Sequence, residues 1–140
     1  MTLQTNNIGD GQFAPGYTID SYITDRLMAG SKNLVTTPGT LGAGKIQRGT
    51  VLGQITATGQ FITCIKTAID GSAVPCGVLV DDADASIAAV PCYVYTSGEF
   101  NANAISFDAS WTIATLQPAL RQSGINLKLT SAALSNADPT

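Results

Sequence analysis

From Leu34 onward the apolar residues come in short runs, each closed by turn-forming residues, and runs of that length fit strands. Residues 50–56 (TVLGQIT) alternate weakly, and residues 60–64 (QFITC) follow after Ala57, Thr58 and Gly59. Two β-rich runs joined by so short a turn predict a hairpin. Residues 74–80 form another apolar run, ended by Asp81 and Asp82. Residues 90–96 (VPCYVYT) are rich in Val and Tyr, and Ser97 with Gly98 reads as the turn that ends them. Ile125, Leu127 and Leu129 alternate with Asn126 and Lys128, the period of a half-buried strand. Pro75 and Pro91 stand near strand beginnings, where a missing N–H is tolerated.

One helix is expected near the C-terminus. Thr115 can cap it, Leu116 starts it, and Pro118 falls in the first turn, where its lost N–H costs nothing. Leu116, Ala119 and Leu120 share a face, Arg121 lies near the end, and Gly124 supplies a left-handed stop. Trp111 and Ile113 come just before and pack against the helix start.

Residues 1–30 differ from the rest. Asn6, Asn7, Gly9, Asp10, Gly11, Pro15 and Gly16 break any regular pattern. The apolar residues Phe13, Tyr17, Ile19, Tyr22 and Ile23 are spaced along the segment as isolated anchors. Such a segment is suited to lying along another surface and ordering there; it reads equally well as the first strand and loop of the domain itself. Residues 131–140 are small and polar with a proline, and are expected to fray. The organisation expected is thus an arm over 1–30, a β-rich domain over 31–130 and a tail over 131–140.

Charge narrows the possible functions. Charged residues make up 12% of the 140 residues, about half the usual ~25%. Seven basic side chains against ten acidic ones give a net charge of −3. That is no footprint for nucleic acid, which needs a clustered basic face. The chain has no histidine, which removes His-based acid–base catalysis, Ser-His-Asp and Cys-His nucleophiles, and His-ligated metals. So few charges protect a free monomer poorly against association, which points to a surface covered by other chains. The first residues carry no basic-then-apolar signal pattern, and no run of ~18 apolar residues spans a membrane. Cys64, Cys76 and Cys92 are odd in number, lack a CxxC spacing and have apolar neighbours. They read as reduced, buried structural thiols of a cytosolic product.

Three local patterns invite a chemical reading. Residues 39–45 (GTLGAGK) match the opening of a phosphate-binding loop. That motif continues with Ser or Thr and a helix N-terminus, whereas Ile46 follows here and residues 47–51 read as turn and strand. A flexible Gly-rich loop before a hairpin is expected instead, with no nucleotide site. Asp81, Asp82 and Asp84 lack the spacing and the final glutamate of a calcium loop. A polar turn whose carboxylates bond nearby backbone N–H groups is expected. Glu99, the single glutamate, would need a second carboxylate such as Asp108 for glycoside chemistry, and no GxSxG elbow is present. No catalytic residue, metal site or cofactor is expected.

Residues 71–79 (GSAVPCGVL), the Asp-rich turn over 81–85, residues 94–101 (VYTSGEFN) and residues 120–125 (LRQSGI) then occur in a telling order. Together with residues 49–56 (GTVLGQIT), they resemble the head decoration proteins of tailed phages, of the phage lambda type, over residues 49–129. The resemblance implies a mainly β small domain, barrel- or tulip-like, with one short C-terminal helix and an extended N-terminal arm. It implies a homotrimer on the outer surface of the virion capsid, at local threefold positions, binding the major capsid protein and stabilising the shell against packed DNA. Such a protein is made in the host cytoplasm and is not an enzyme. The arm carries no family motif, so its assignment rests on its composition. The other readings are a different virion β-domain, associated with tail or fibre, and a small carbohydrate- or peptide-binding module.

Overall fold

The structure is a computed structural model and describes residues 26–129. Its strands are β1 (Val35–Leu41), β2 (Gly44–Ile46), β3 (Val51–Gln54), β4 (Phe61–Thr63), β5 (Pro75–Leu79), β6 (Ala83–Ala85), β7 (Val90–Asn101) and β8 (Ile125–Lys128), with the helix α1 (Ile113–Gln122) between β7 and β8. Strands pair in the order β1-β4-β3-β5-β7, and β7 returns to β1, closing a five-stranded barrel. β8 lies parallel to the far end of β7, and β2 with β6 forms a separate small ribbon. Among the described residues the fold is mainly β with one short helix, as expected, and β3 and β4 form the antiparallel hairpin.

Two hydrophobic clusters share the sheet. Leu52, Leu79, Val94, Leu41 and Phe61 fill the barrel interior, joined by Ile46 and Ala85 of the ribbon. Val51, Val78, Tyr95 and Phe100 pack instead with Leu116, Leu120, Trp111 and Ile125 on the helix side. Adjacent residues such as Val51 and Leu52 are therefore both buried, one in each cluster. A sheet covered on both faces loses its two-residue alternation, which is why residues 50–56 alternate only weakly.

β7 is the spine of the molecule. It runs 12 residues, so Ser97 and Gly98 are strand and not the expected turn. The register against β1 shifts there: Val35 faces Ser97 while Thr36 faces Tyr95, leaving Thr96 as the extra residue. A one-residue bulge bends the strand and switches which face its side chains take. Cys92 and Val94 thus reach the barrel interior, while Phe100, also even-numbered, reaches the helix-side cluster.

α1 begins earlier than expected. Thr112, not Thr115, is its N-cap, and Thr115 is the third helical residue. The two threonines cap one another: Thr115 N–H donates to Thr112 Oγ1 at 3.3 Å, and Thr112 N–H donates to Thr115 Oγ1 at 3.1 Å. Ile113 is accordingly inside the helix. Pro118 lies in the second turn, where it deprives the Ala114 carbonyl of its helical donor. Both residues are exposed, so water can take that place. Gly124, at φ +87°, is the left-handed stop expected of it. Thr112→Ala should cost about 0.5–2 kcal/mol by removing the cap, and the shift of the thermal midpoint against Ala109→Ser, a change outside the cap, checks it.

Candidate functional site

The ends of the described chain leave the fold together. Residues 27–29 run antiparallel along β7, with Met28 opposite Phe100. Ala29 N–H donates to the Glu99 carbonyl at 3.0 Å, and Asn101 N–H donates to the Leu27 carbonyl at 2.8 Å. Leu27 is buried in the helix-side cluster and anchors this pairing. On the other edge of β7, Ala102 N–H donates to the Lys128 carbonyl at 2.8 Å. Arg26 and Leu129 therefore emerge on either side of Asn101 and Ala102. The expected anchors Phe13, Tyr17, Ile19, Tyr22 and Ile23 lie outside the described residues, as does the tail over 131–140.

The root of the N-terminal segment is tied by charge. Glu99 Oε1 lies 3.0 Å from Lys128 Nζ, and Glu99 Oε2 accepts from Lys32 N–H at 3.3 Å. The Lys128 ammonium holds the Glu99 carboxyl below the usual carboxylate range, against a smaller opposing effect of desolvation. Lys32 Nζ in turn donates to the Gly124 carbonyl at 2.8 Å. Sequence reading missed this cluster, because its members are distant in the chain and several are backbone groups.

Exposed apolar side chains gather at the barrel end where β1 begins. Leu34 and Val35 are exposed there, with Val35 opposite Ser97. Ser97 Oγ and Lys32 both reach the Gly124 carbonyl, and Ser123 Oγ donates to the Pro75 carbonyl at 2.8 Å. Exposed Val74 adjoins Pro75, so it joins the same end. Ile69 is fully exposed on a loop tied to the β3–β4 turn by Thr56 N–H donating to the Asp70 carbonyl at 2.9 Å. Ile87, also fully exposed, precedes β7 at the opposite end. Tyr93 stands on the outer wall opposite Pro38, more than half exposed.

The patterns read as possible chemistry resolve into structure. Gly39 and Lys45 lie in β1 and β2, so the glycine-rich run is two strands with a turn at residues 42–43, not the expected loop, and no helix N-terminus follows. Asp84 accepts from Ser86 N–H and Ser86 Oγ, the local bonding expected, but it does so from within β6, paired with Lys45, and not from a turn. Asp82 departs from that pattern: its Oδ1 accepts from Arg48 N–H at 2.7 Å and clips two distant loops together. Asp108 accepts from Ser110 N–H at 2.9 Å, so it and Glu99 serve separate partners. Among the described residues no group of three or more His, Cys, Asp or Glu side chains could hold a metal. An open cleft of about 320 Å³ is lined by Lys45, Ile46, Gln47, Thr50, Thr63 and Ser106, with Lys45 its single charged group.

The cysteines are free, Cys64 and Cys92 being buried and Cys76 half-buried. Burial pushes the Cys64 and Cys76 thiols up to about 11 and raises Cys92 as well. At Cys64 the indole of Trp111, whose buried N–H has no oxygen partner, offsets part of that rise. At pH 8 a thiol of that kind is thiolate in only about one molecule in a thousand, and the thiolate is the reactive form. A colorimetric disulfide reagent should therefore label the native protein slowly and all three thiols rapidly after denaturation.

Comparison with known families gives one finding. The family model of Bacteriophage lambda head decoration protein D matches residues 17–126. The matched span begins well before residue 49, taking in Tyr17, Ile19, Tyr22 and Ile23 and leaving Phe13 outside. No curated protein matches the sequence.

Proposed function

The chain belongs to the family of bacteriophage lambda head decoration protein D, and from that premise we propose that it works as a homotrimer on the outer face of the mature head. It sits at local threefold positions, binds the major capsid protein and stabilises the shell against the pressure of packed DNA. The part it plays is structural, not catalytic. The family match over most of the chain is the observation that carries this reading.

The geometry supports a division of labour. The closed barrel presents few charges to its neighbours, and a threefold ring buries two different faces of each copy. The exposed Leu34, Val35, Val74 and Ile69 give one barrel end apolar surface to bury. Phe13, Tyr17, Ile19, Tyr22 and Ile23 are the proposed anchors of an N-terminal arm that lies along the capsid protein. Three arms on one trimer make the second and third contacts effectively intramolecular, so each can be weak while the trimer holds. The carbohydrate-module reading gains no support from the cleft, whose lining includes no aromatic side chain.

Mixing the protein with undecorated, expanded shells and imaging them tests the proposal. Density is expected as three-lobed caps at the local threefold positions. Caps at other positions, or bare shells, would overturn it.

A further inference from the structure

We infer that Glu99 is a clasp for the root of the N-terminal arm: its carboxylate holds residues 29–32 against β7 and β8 and so fixes where, and in which direction, the arm leaves the barrel. Its role in docking rests on the arm reading above; its role in holding the segment does not.

Residues 30–34 are exposed throughout, so burial alone does not keep them in place. Polar contacts hold them. The Glu99 carbonyl takes the Ala29 N–H, and its carboxylate takes the Lys32 N–H on one oxygen and the Lys128 ammonium on the other. Lys32 then closes the ring by donating from Nζ to the Gly124 carbonyl. One carboxylate thereby joins the incoming segment to the outgoing strand β8. Its side chain is only 17% exposed although the segment above it is solvent-facing, and charge-assisted bonds of this sort are about twice as strong as neutral ones. Gly30 makes the approach possible. A Cβ at that position would lie 1.7 Å from Glu99 Oε2 and 3.0 Å from Glu99 Cβ, so any side chain there must expel the carboxylate or lift the segment. Glu99 is thus a positioning residue: it acts on a partner only by fixing the arm's point of departure.

The charged group facing the carboxylate is the Lys128 ammonium from β8; the segment itself offers the Lys32 backbone N–H, the Lys32 ammonium being turned to the Gly124 carbonyl. With its titration held below the ordinary carboxylate range, the clasp stays formed across neutral and mildly acid pH and opens as the pH falls through that lowered value.

Amide hydrogen exchange on the full chain reads the clasp directly. In Glu99→Gln and in Gly30→Ala, exchange at Ala29, Lys32 and Asn101 should rise at least tenfold. The Val51 and Leu79 amides, bonded to the Ser106 and Thr50 carbonyls, should stay as in the parent and report an intact barrel. On undecorated expanded shells, both variants should need at least tenfold more free protein for half-occupancy. Parent-like exchange at Ala29 and Lys32 in both variants overturns the clasp. Raised exchange with parent-like occupancy, where a chain lacking residues 1–25 binds poorly, overturns its role in docking. If the chain lacking residues 1–25 binds as well as the parent, the arm reading fails instead, and the exchange data still decide the clasp.

Discussion

Phe100→Ala should destabilise the domain by about 3–5 kcal/mol, the range for deleting a buried aromatic ring. Phe100 is fully buried and is among the largest side chains in the core. It lies beyond the bulge in β7, where the strand has switched face, and its ring meets Tyr95 at 5.4 Å between centroids with a tilt of 50°. Its backbone carries the bridge to Met28 on one side and the pairing with Leu127 of β8 on the other. The cavity left by the ring would therefore open where the helix, β8 and the N-terminal segment meet. Domains of this size have about 5–15 kcal/mol of stability in total, and each kcal/mol moves the midpoint by roughly 4–8 °C. The thermal midpoint should accordingly fall by at least about 12 °C. Tyr93→Ala is the matched control: the same strand and an aromatic of similar size, but 58% exposed. Surface changes of that kind usually stay within about 0.5 kcal/mol. Equal midpoints for the two variants would show that the bulge does not turn Phe100 into the core.

The elements legible in the sequence are those whose cause is local. The β3–β4 hairpin could be read because its turn residues and both flanking runs are contiguous. Gly124 could be read because a left-handed stop after an apolar face is a short-range signal. The errors have physical reasons too. Thr112 and Thr115 are both good caps, and the reciprocal bond between them uses a threonine where the usual pattern has a glutamate or glutamine, so the start expected at Thr115 falls one turn late. Ser97 and Gly98 have turn composition, yet β8 and residues 27–29 flank β7 there and extend it as strand. β1 itself has little pattern, being exposed along most of its length; it is a strand because β7 offers it an edge. Glu99 is the clearest case of what sequence does not carry. Lys32 is 67 residues away, and what it offers the carboxylate is a backbone N–H. The proposed arm anchors fall outside the described residues, so their reading rests on composition.

Deleting residues 1–25 should leave the barrel standing and remove most of the affinity for the shell. The fold side follows from the packing: Leu27 and Met28 remain, and with them the pairing to β7, so the midpoint should move by no more than a few degrees. The binding side follows from multivalency. When three linked contacts act together, the gain over one is of order 10²–10⁴. Losing all three arms should raise the free concentration for half-occupancy of expanded shells at least a hundredfold. A single anchor substitution then separates a trimer from independent monomers. If Tyr22→Ala weakens each arm by about 1.4 kcal/mol, a tenfold change, monomers binding singly lose tenfold in occupancy concentration. A trimer engaging through all three arms carries the same loss three times and approaches a thousandfold. Titrating parent, Tyr22→Ala and the deletion on the same shells therefore measures both the arm's share of the binding and the number of arms that act as one. A tenfold loss for Tyr22→Ala beside a very large loss for the deletion would mean that the copies bind independently, and parent-like binding by the deletion would assign the contact to the barrel alone.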